Sequence, residues 1–92
     1  MQITINYMSQ LKKAAGIGQE TLTVEDASTV QRFLAEAVCP HRTRLCETIR
    51  EQDGAFRGIL LVFVGDEQID LDTPVTLNDG DEVTIMFPIA GG

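Results

Sequence analysis

Basic residues are scarce in this sequence. Seven Lys and Arg stand against fourteen Asp and Glu, for a formal net charge of −7. Nucleic acids and anionic membrane surfaces are held by Lys and Arg in excess, so the deficit argues against either as the main partner. It is compatible with a basic protein partner, and equally with net acidity as a solubility device. Long hydrophobic runs are missing too. The longest, Ile59 to Val64, suits a buried strand and falls far short of the roughly 18–20 apolar residues of a membrane span. The opening residues Met1-Gln2-Ile3-Thr4-Ile5 lack the basic start and apolar stretch of a secretory signal. A cytoplasmic location is expected.

Cysteine and histidine are equally sparse. Cys39 and Cys46 are the only cysteines, with His41 between them. Cys-x6-Cys with one histidine is a poor match to metal-site spacing and lacks a fourth ligand, so no metal is expected. A thiol activated by His41 has no third group nearby in sequence, which makes catalysis the weaker reading. In a reducing compartment the pair reads as buried or half-buried structural thiols. Internal repeats and low-complexity segments are absent as well.

What remains is an ordinary globular composition. Ninety-two residues, 43% hydrophobic and 23% charged, make one domain with a core and argue against disorder. From Gln2 to Met8 the residues alternate, Ile3, Ile5 and Tyr7 on one face, which predicts a half-buried strand. A short helical turn fits Leu11 to Ala15, closed by Gly16 and Gly18. A second alternation in Gln19 to Glu25, with Leu22 and Val24 inward, completes an antiparallel hairpin. Ser28 and Gln31 fit a capping box for the main helix. Its apolar stripe is Val30, Phe33, Leu34, Ala37 and Val38, with Arg32 and Glu36 on the other side, and Pro40 ends or redirects it. Leu45, Cys46 and Ile49 predict a short second helix, stopped at Asp53-Gly54.

The run Ile59 to Val64 is apolar on both faces. One face therefore meets loops or forms an exposed patch that marks a protein contact. A short edge strand follows at Gln68 to Leu71. The turn Leu77-Asn78-Asp79-Gly80-Asp81 leads into the last strand, Glu82 to Phe87, with Met86 beside the spare apolar face. The order β-β-α-(short helix)-β-β-β predicts an α+β fold in which one helix stripe buries against one mixed sheet. A β-grasp meets this requirement, with first and last strands side by side in the middle. Residues 1–87 form that domain and residues 88–92 a tail.

The tail is Pro88-Ile89-Ala90-Gly91-Gly92. Two glycines leave the backbone without side chains to hold it in a core. From Ile89 to Gly92 an extended chain reaches roughly 13–14 Å, at about 3.3–3.6 Å per residue. Pro88 lacks a donor and holds φ, so it ends the strand and stiffens the exit.

The Leu77-Asn78-Asp79-Gly80-Asp81-Glu82-Val83 turn, the strand order and the Gly-Gly terminus together resemble the ubiquitin-like sulfur carriers of the MoaD/ThiS family. That family includes the small subunit of molybdopterin synthase. The likeness spans nearly the whole chain and is strongest from Leu77 to Gly92. It implies a protein substrate, or the non-catalytic small subunit of a synthase complex, rather than an ordinary enzyme. Gly92 would be adenylated by an ATP-dependent activating enzyme and converted, with sulfur from a donor protein, to a thiocarboxylate. A sulfur-accepting synthase subunit would then take the sulfur, most plainly for molybdopterin; no cofactor is bound, and ATP belongs to the activating enzyme. Gly91 and Ala90 would give slender access to a narrow channel, and Ile89, Pro88, Phe87 and Met86 would contact the partner. The Phe-Pro-Pro approach common among molybdopterin-synthase members is here Met86-Phe87-Pro88. Carriage of sulfur for cysteine, thiamine or tRNA thiolation therefore stays open, as does a ubiquitin-like modifier conjugated through Gly92. A plain interaction module using the apolar sheet face is the reading from a different class.

Overall fold

Alternation at period two builds the sheet. In the computed structural model, which describes residues 1–88, β1 (Gln2–Tyr7) and β2 (Gln19–Thr23) form the antiparallel hairpin. The helix α1 (Gln10–Ala15) sits between them and ends on Gly16 at φ 81, where its amide donates to the Lys12 carbonyl. Strands β3 (Leu61–Val64), β4 (Glu67–Ile69) and β5 (Glu82–Met86) complete a five-stranded sheet in the order β2-β1-β5-β3-β4. β1 and β5 are parallel and central; every other pairing is antiparallel. The β-grasp expectation holds. β3 is shorter than the apolar run suggests: Leu60 turns into the core ahead of the strand, and Ile59 is 58% exposed.

The Leu77–Asp81 turn sets the register of the central pair. The Gly80 amide, at φ 87, donates to the Gln2 carbonyl at 2.8 Å, and the Thr4 amide donates to the Asp81 carbonyl at 3.1 Å. The Asp79 carboxylate accepts from the Gln2 amide at 2.7 Å. Leu77 anchors the turn from below, fully buried.

The main helix covers residues 30–41 in three pieces: α2 (Val30–Arg32), a π-helical stretch (Phe33–Val38) and α3 (Cys39–His41). Its cap differs from the expected box. Thr29 is the N-cap, its hydroxyl accepting from the Arg32 amide at 3.1 Å. Ser28 instead donates to the Glu25 carbonyl, and Gln31 reaches out to the Leu71 and Thr73 carbonyls at 3.0 and 2.9 Å. The loop from 71 to 77 thereby straps the helix start, and a glutamine engaged there cannot reach back to its own cap.

Pro40 does not end the helix. In an α turn its ring would clash with the carbonyl four residues back. The turn ahead of it is widened, with the Cys39 amide donating to the Leu34 carbonyl five residues back, and the helix runs on to His41. The break comes at Arg42, φ −133 and ψ 73, from which α4 (Thr43–Ile49) folds back. α4 ends at Arg50 rather than at Asp53-Gly54, which forms a turn farther on.

This reversal corrects the reading of the cysteines. Cys39 and Cys46 are joined as a disulfide, with Cα atoms 4.9 Å apart, and are not free thiols. In one continuous helix, positions seven apart stand about 10 Å apart along the axis, too far to bridge. The break at Arg42 is what brings them together.

The helix stripe Val30, Phe33, Leu34 and Val38 packs on Ile3, Ile5, Tyr7, Val62, Val83 and Ile85 of the sheet. Leu11, Leu45 and Ile49 close one end of this core. At its edge lies a polar corner. Glu20, its side chain 10% exposed, accepts both Arg42 Nε and an Arg42 terminal nitrogen at 2.9 Å, and the Tyr7 hydroxyl at 2.6 Å. Arg42 holds the Glu20 carboxyl down to about 2 from its ordinary 4.5, and the Tyr7 hydroxyl helps. Burial, reinforced by Glu20, raises the Tyr7 hydroxyl.

A depressed carboxyl contributes stability above its unfolded value that is lost as pH falls toward the folded value. Glu20→Gln should therefore cost about 2 kcal/mol at neutral pH, after allowance for screening around the partly exposed guanidinium. Between about pH 4.5 and 2 the gap to the unsubstituted chain should close. Urea unfolding across that pH range measures both effects.

Candidate functional site

Beyond β5 the chain runs through Phe87 and Pro88 toward the terminus. Alternation sends Val83 and Ile85 into the core and leaves Thr84 and Met86 on the open face of the sheet. Met86 pairs with Leu61, and Thr84 with Phe63, so Leu61, Phe63 and Met86 form a half-buried apolar group on that face. This is the spare apolar surface expected from the run at 59–64, with Met86 beside it.

Across β1 and β2 the same face is polar. Asn6 Nδ2 donates to the Thr84 hydroxyl at 3.1 Å, Gln19 donates to Asn6 at 2.7 Å, and the Thr4 and Thr21 hydroxyls lie 3.0 Å apart. The open face therefore divides into a threonine–asparagine half and an apolar half beside the exit from β5.

Two further residues complete the apolar half. The Met8 amide donates to the Ile85 carbonyl at 3.2 Å, which sets Met8, 43% exposed, next to the end of β5. Ile59 sits in the turn just ahead of β3, whose first residue Leu61 pairs with Met86, so it lies toward the same end of the sheet as Pro88, which is exposed. Met8, Ile59, Leu61, Met86 and Pro88 thus surround the exit. None of these side chains titrates or attacks; the arrangement offers apolar contact and no reacting group. Ile59 belongs to the apolar run expected to leave an exposed patch; Met8 was not identified from the sequence. The available signal was weak: Met8 is an apolar residue just outside a strand that needs it for no core position.

Of the residues expected to contact a partner, Met86 and Pro88 are accessible at this end. Phe87 is not: it is 8% exposed and belongs to the core cluster. It continues the alternation of Val83 and Ile85 one step past β5, which turns its ring to the core face. Ile89, Ala90, Gly91 and Gly92 lie outside the described residues. The thiol–histidine alternative finds no support, because His41 Nε2 is 3.1 Å from Glu20 Oε1 while the two sulfurs bond each other. No helix among the described residues is long and apolar enough to cross a membrane.

The ThiS family profile matches residues 5–92. The chain belongs to the ThiS family. It is a ubiquitin-like β-grasp chain of the sulfur-carrier type. Over its full length, and over the full length of the relative, it is 25% identical to the molybdopterin synthase sulfur carrier subunit of Chlamydomonas reinhardtii. Its fold is similar to that of SAMP1, small archaeal modifier protein 1, from Haloferax volcanii, with a TM-score of 0.91 and 22% identity across 100% of both chains. The Amycolatopsis orientalis BexX/CysO complex also contains this fold, at a TM-score of 0.73 and 22% identity, covering 98% of this chain and 99% of that one.

The placement of Phe87 separates structural from surface roles at the strand end. Phe87→Ala should cost about 3 kcal/mol through lost burial and a cavity, whereas Pro88→Ala, on an exposed residue, should cost no more than roughly 0.5 kcal/mol. Chemical denaturation of the two variants distinguishes these outcomes.

Proposed function

We propose that this chain carries sulfur as a thiocarboxylate on Gly92 and delivers it in molybdopterin biosynthesis. The observation that carries the reading is the family match, which runs through Gly92, on a chain whose last strand ends beside exposed and half-buried apolar side chains. A carboxylate is a poor electrophile. Attack of the Gly92 carboxylate on the α-phosphate of ATP, in the active site of an activating enzyme, releases pyrophosphate and leaves an acyl-adenylate. Sulfur from a donor protein then displaces the adenylate, and the resulting thiocarboxylate is a nucleophile on an extended arm. The chain acts as a protein substrate throughout, in the cytoplasm, and its own side chains supply binding rather than catalysis.

On this reading the apolar half of the open face and the residues around the exit dock the activating enzyme and then the sulfur-accepting subunit. Gly91 and Ala90 thread the partner's channel, with Ile89 and Pro88 at its mouth. Molybdopterin is preferred as the destination because of the full-length likeness to the Chlamydomonas subunit. A second reading, conjugation through Gly92 to lysines of other proteins, is favoured by the likeness to small archaeal modifier protein 1.

Incubation with a cognate activating enzyme, ATP and a sulfur source should raise the intact mass by one oxygen-to-sulfur exchange. Deletion of Gly91 and Gly92 should abolish the shift. No exchange in the presence of a competent enzyme would sink the carrier reading. Gly-Gly remnants on lysines in digests of the native host lysate would establish the modifier role. An interaction module that needs only the sheet face would keep full activity after the deletion. Ile59→Asp should leave the melting temperature unchanged and lower the thiocarboxylate yield roughly tenfold at limiting activating enzyme, about 1.4 kcal/mol of docking.

A further inference from the structure

The sulfur pair at the corner between α3 and α4 stands apart from the tail chemistry. Cys39 is buried and Cys46 half-buried, and a surface groove of about 490 Å³ opens over both. Arg50 spans the two sulfurs, its Nη1 lying 3.8 Å from Cys46 Sγ and 4.0 Å from Cys39 Sγ. The guanidinium is held in place from two other directions. Its Nε donates to the Gly54 carbonyl at 2.7 Å, and it lies 5.2 Å from the centre of the Phe56 ring.

Among the described residues no carboxylate pairs with this cation. Glu51 is paired with Arg57 at 3.6 Å, and Glu47 is exposed at the rim. On the α3 side, His41 turns away to Glu20. A fixed cation beside two sulfurs stabilises a thiolate more than a thiol or a disulfide, and thereby lowers the barrier to sulfur–sulfur cleavage. An inert staple needs neither the cation nor the groove.

We propose that Cys39–Cys46 is a thiol–disulfide exchange site that a dithiol reductant opens through Cys46, with Arg50 holding the departing thiolate. One thiolate of the dithiol attacks Cys46 Sγ from the groove. The Cys39–Cys46 bond breaks, and Cys39 leaves with the electron pair as a thiolate beside Arg50. The second thiol of the reductant, as thiolate, attacks its own sulfur in the mixed disulfide and releases Cys46. The two protons given up by the dithiol are available to the two cysteines. The dithiol is oxidised by two electrons and the cysteine pair reduced by two. The inference does not depend on the sulfur-carrier reading.

The probe is dithiothreitol, applied to the full-length folded chain after oxidation, with N-ethylmaleimide trapping and intact mass as the readout. Reduction should be proportional to dithiothreitol concentration, reverse on addition of the oxidised reagent, and slow roughly threefold to tenfold in Arg50→Met while Arg50→Lys keeps most of the rate. A rate independent of dithiothreitol, and so set by global unfolding, would overturn the proposal. So would an unchanged rate in Arg50→Met, or a chain that stays in the dithiol form under oxidised dithiothreitol. Should Arg50→Met fail to fold, alkylation of the reduced unsubstituted chain by iodoacetamide decides. A Cys39 titration midpoint below the ordinary thiol value of about 8.5 supports the site, and one at or above it counts against. Peptide mapping after brief exposure to oxidised glutathione adds the direction of attack. The adduct belongs on Cys46 if the proposal holds, and on Cys39 if it does not.

Discussion

The parallel pairing of β1 with β5 is the constraint on which the rest of the molecule depends. It joins the first and last strands, so nearly the whole chain must close as a loop before a single ladder bond forms, an entropic cost that local structure cannot offset. A parallel pair also requires a crossover long enough to return the chain to the same end of the sheet. Here that crossover holds α1, β2, the main helix, α4, β3 and β4. The Gly80 and Asp79 contacts to Gln2 lock the register at one end, and the helix stripe seals the inner face. The end of β5 is consequently a feature of the middle of the sheet, supported by a neighbour on each side.

That position explains why binding groups gather where they do. A central strand has no free edge, and β5 runs out at the end of the sheet along its own axis. Around that axis the sheet presents Leu61 and Met86 from its open face, with Met8 and Ile59 from the adjoining segments. The core takes Phe87 and thereby fixes the direction in which the chain departs. Stability and presentation meet in two consecutive residues, one buried and the next exposed.

At the same end of the sheet, on its β2 side, the edge of the core is organised by charge. Glu20 lies largely out of solvent only because Arg42 and Tyr7 satisfy its oxygens, and Arg42 is free to do so because the helix breaks there. The same break doubles α4 back on α3 and brings Cys46 to Cys39. One departure from helical φ and ψ thus serves both a half-buried ion pair and a sulfur pair. The π-helical turn before Pro40 belongs to this arrangement as well, since it carries the helix past the proline to a residue that can turn the chain.

Much of the fold was legible in short windows of sequence. The alternation of Ile3, Ile5 and Tyr7, the stripe from Val30 to Val38 and the Asn78-Asp79-Gly80 turn each follow from local periodicity or local φ, and each appears in the structure. The Gly-Gly run and its approach likewise pointed to a family from sequence alone. Other features were decided elsewhere. The capping role of Thr29 over Ser28 follows from a loop more than forty residues away that claims Gln31. The passage through Pro40 and the disulfide depend on where a distant segment comes to lie, whereas the burial of Phe87 continues the local alternation of Val83 and Ile85. Met8 and Ile59 belong together only because β1 and β3 flank the same strand end. A single sequence encodes which faces are apolar through patterns within a few turns or strands. Which of those faces meet is set by the summed packing of residues far apart in the chain, and that sum exists only once the central strands have paired.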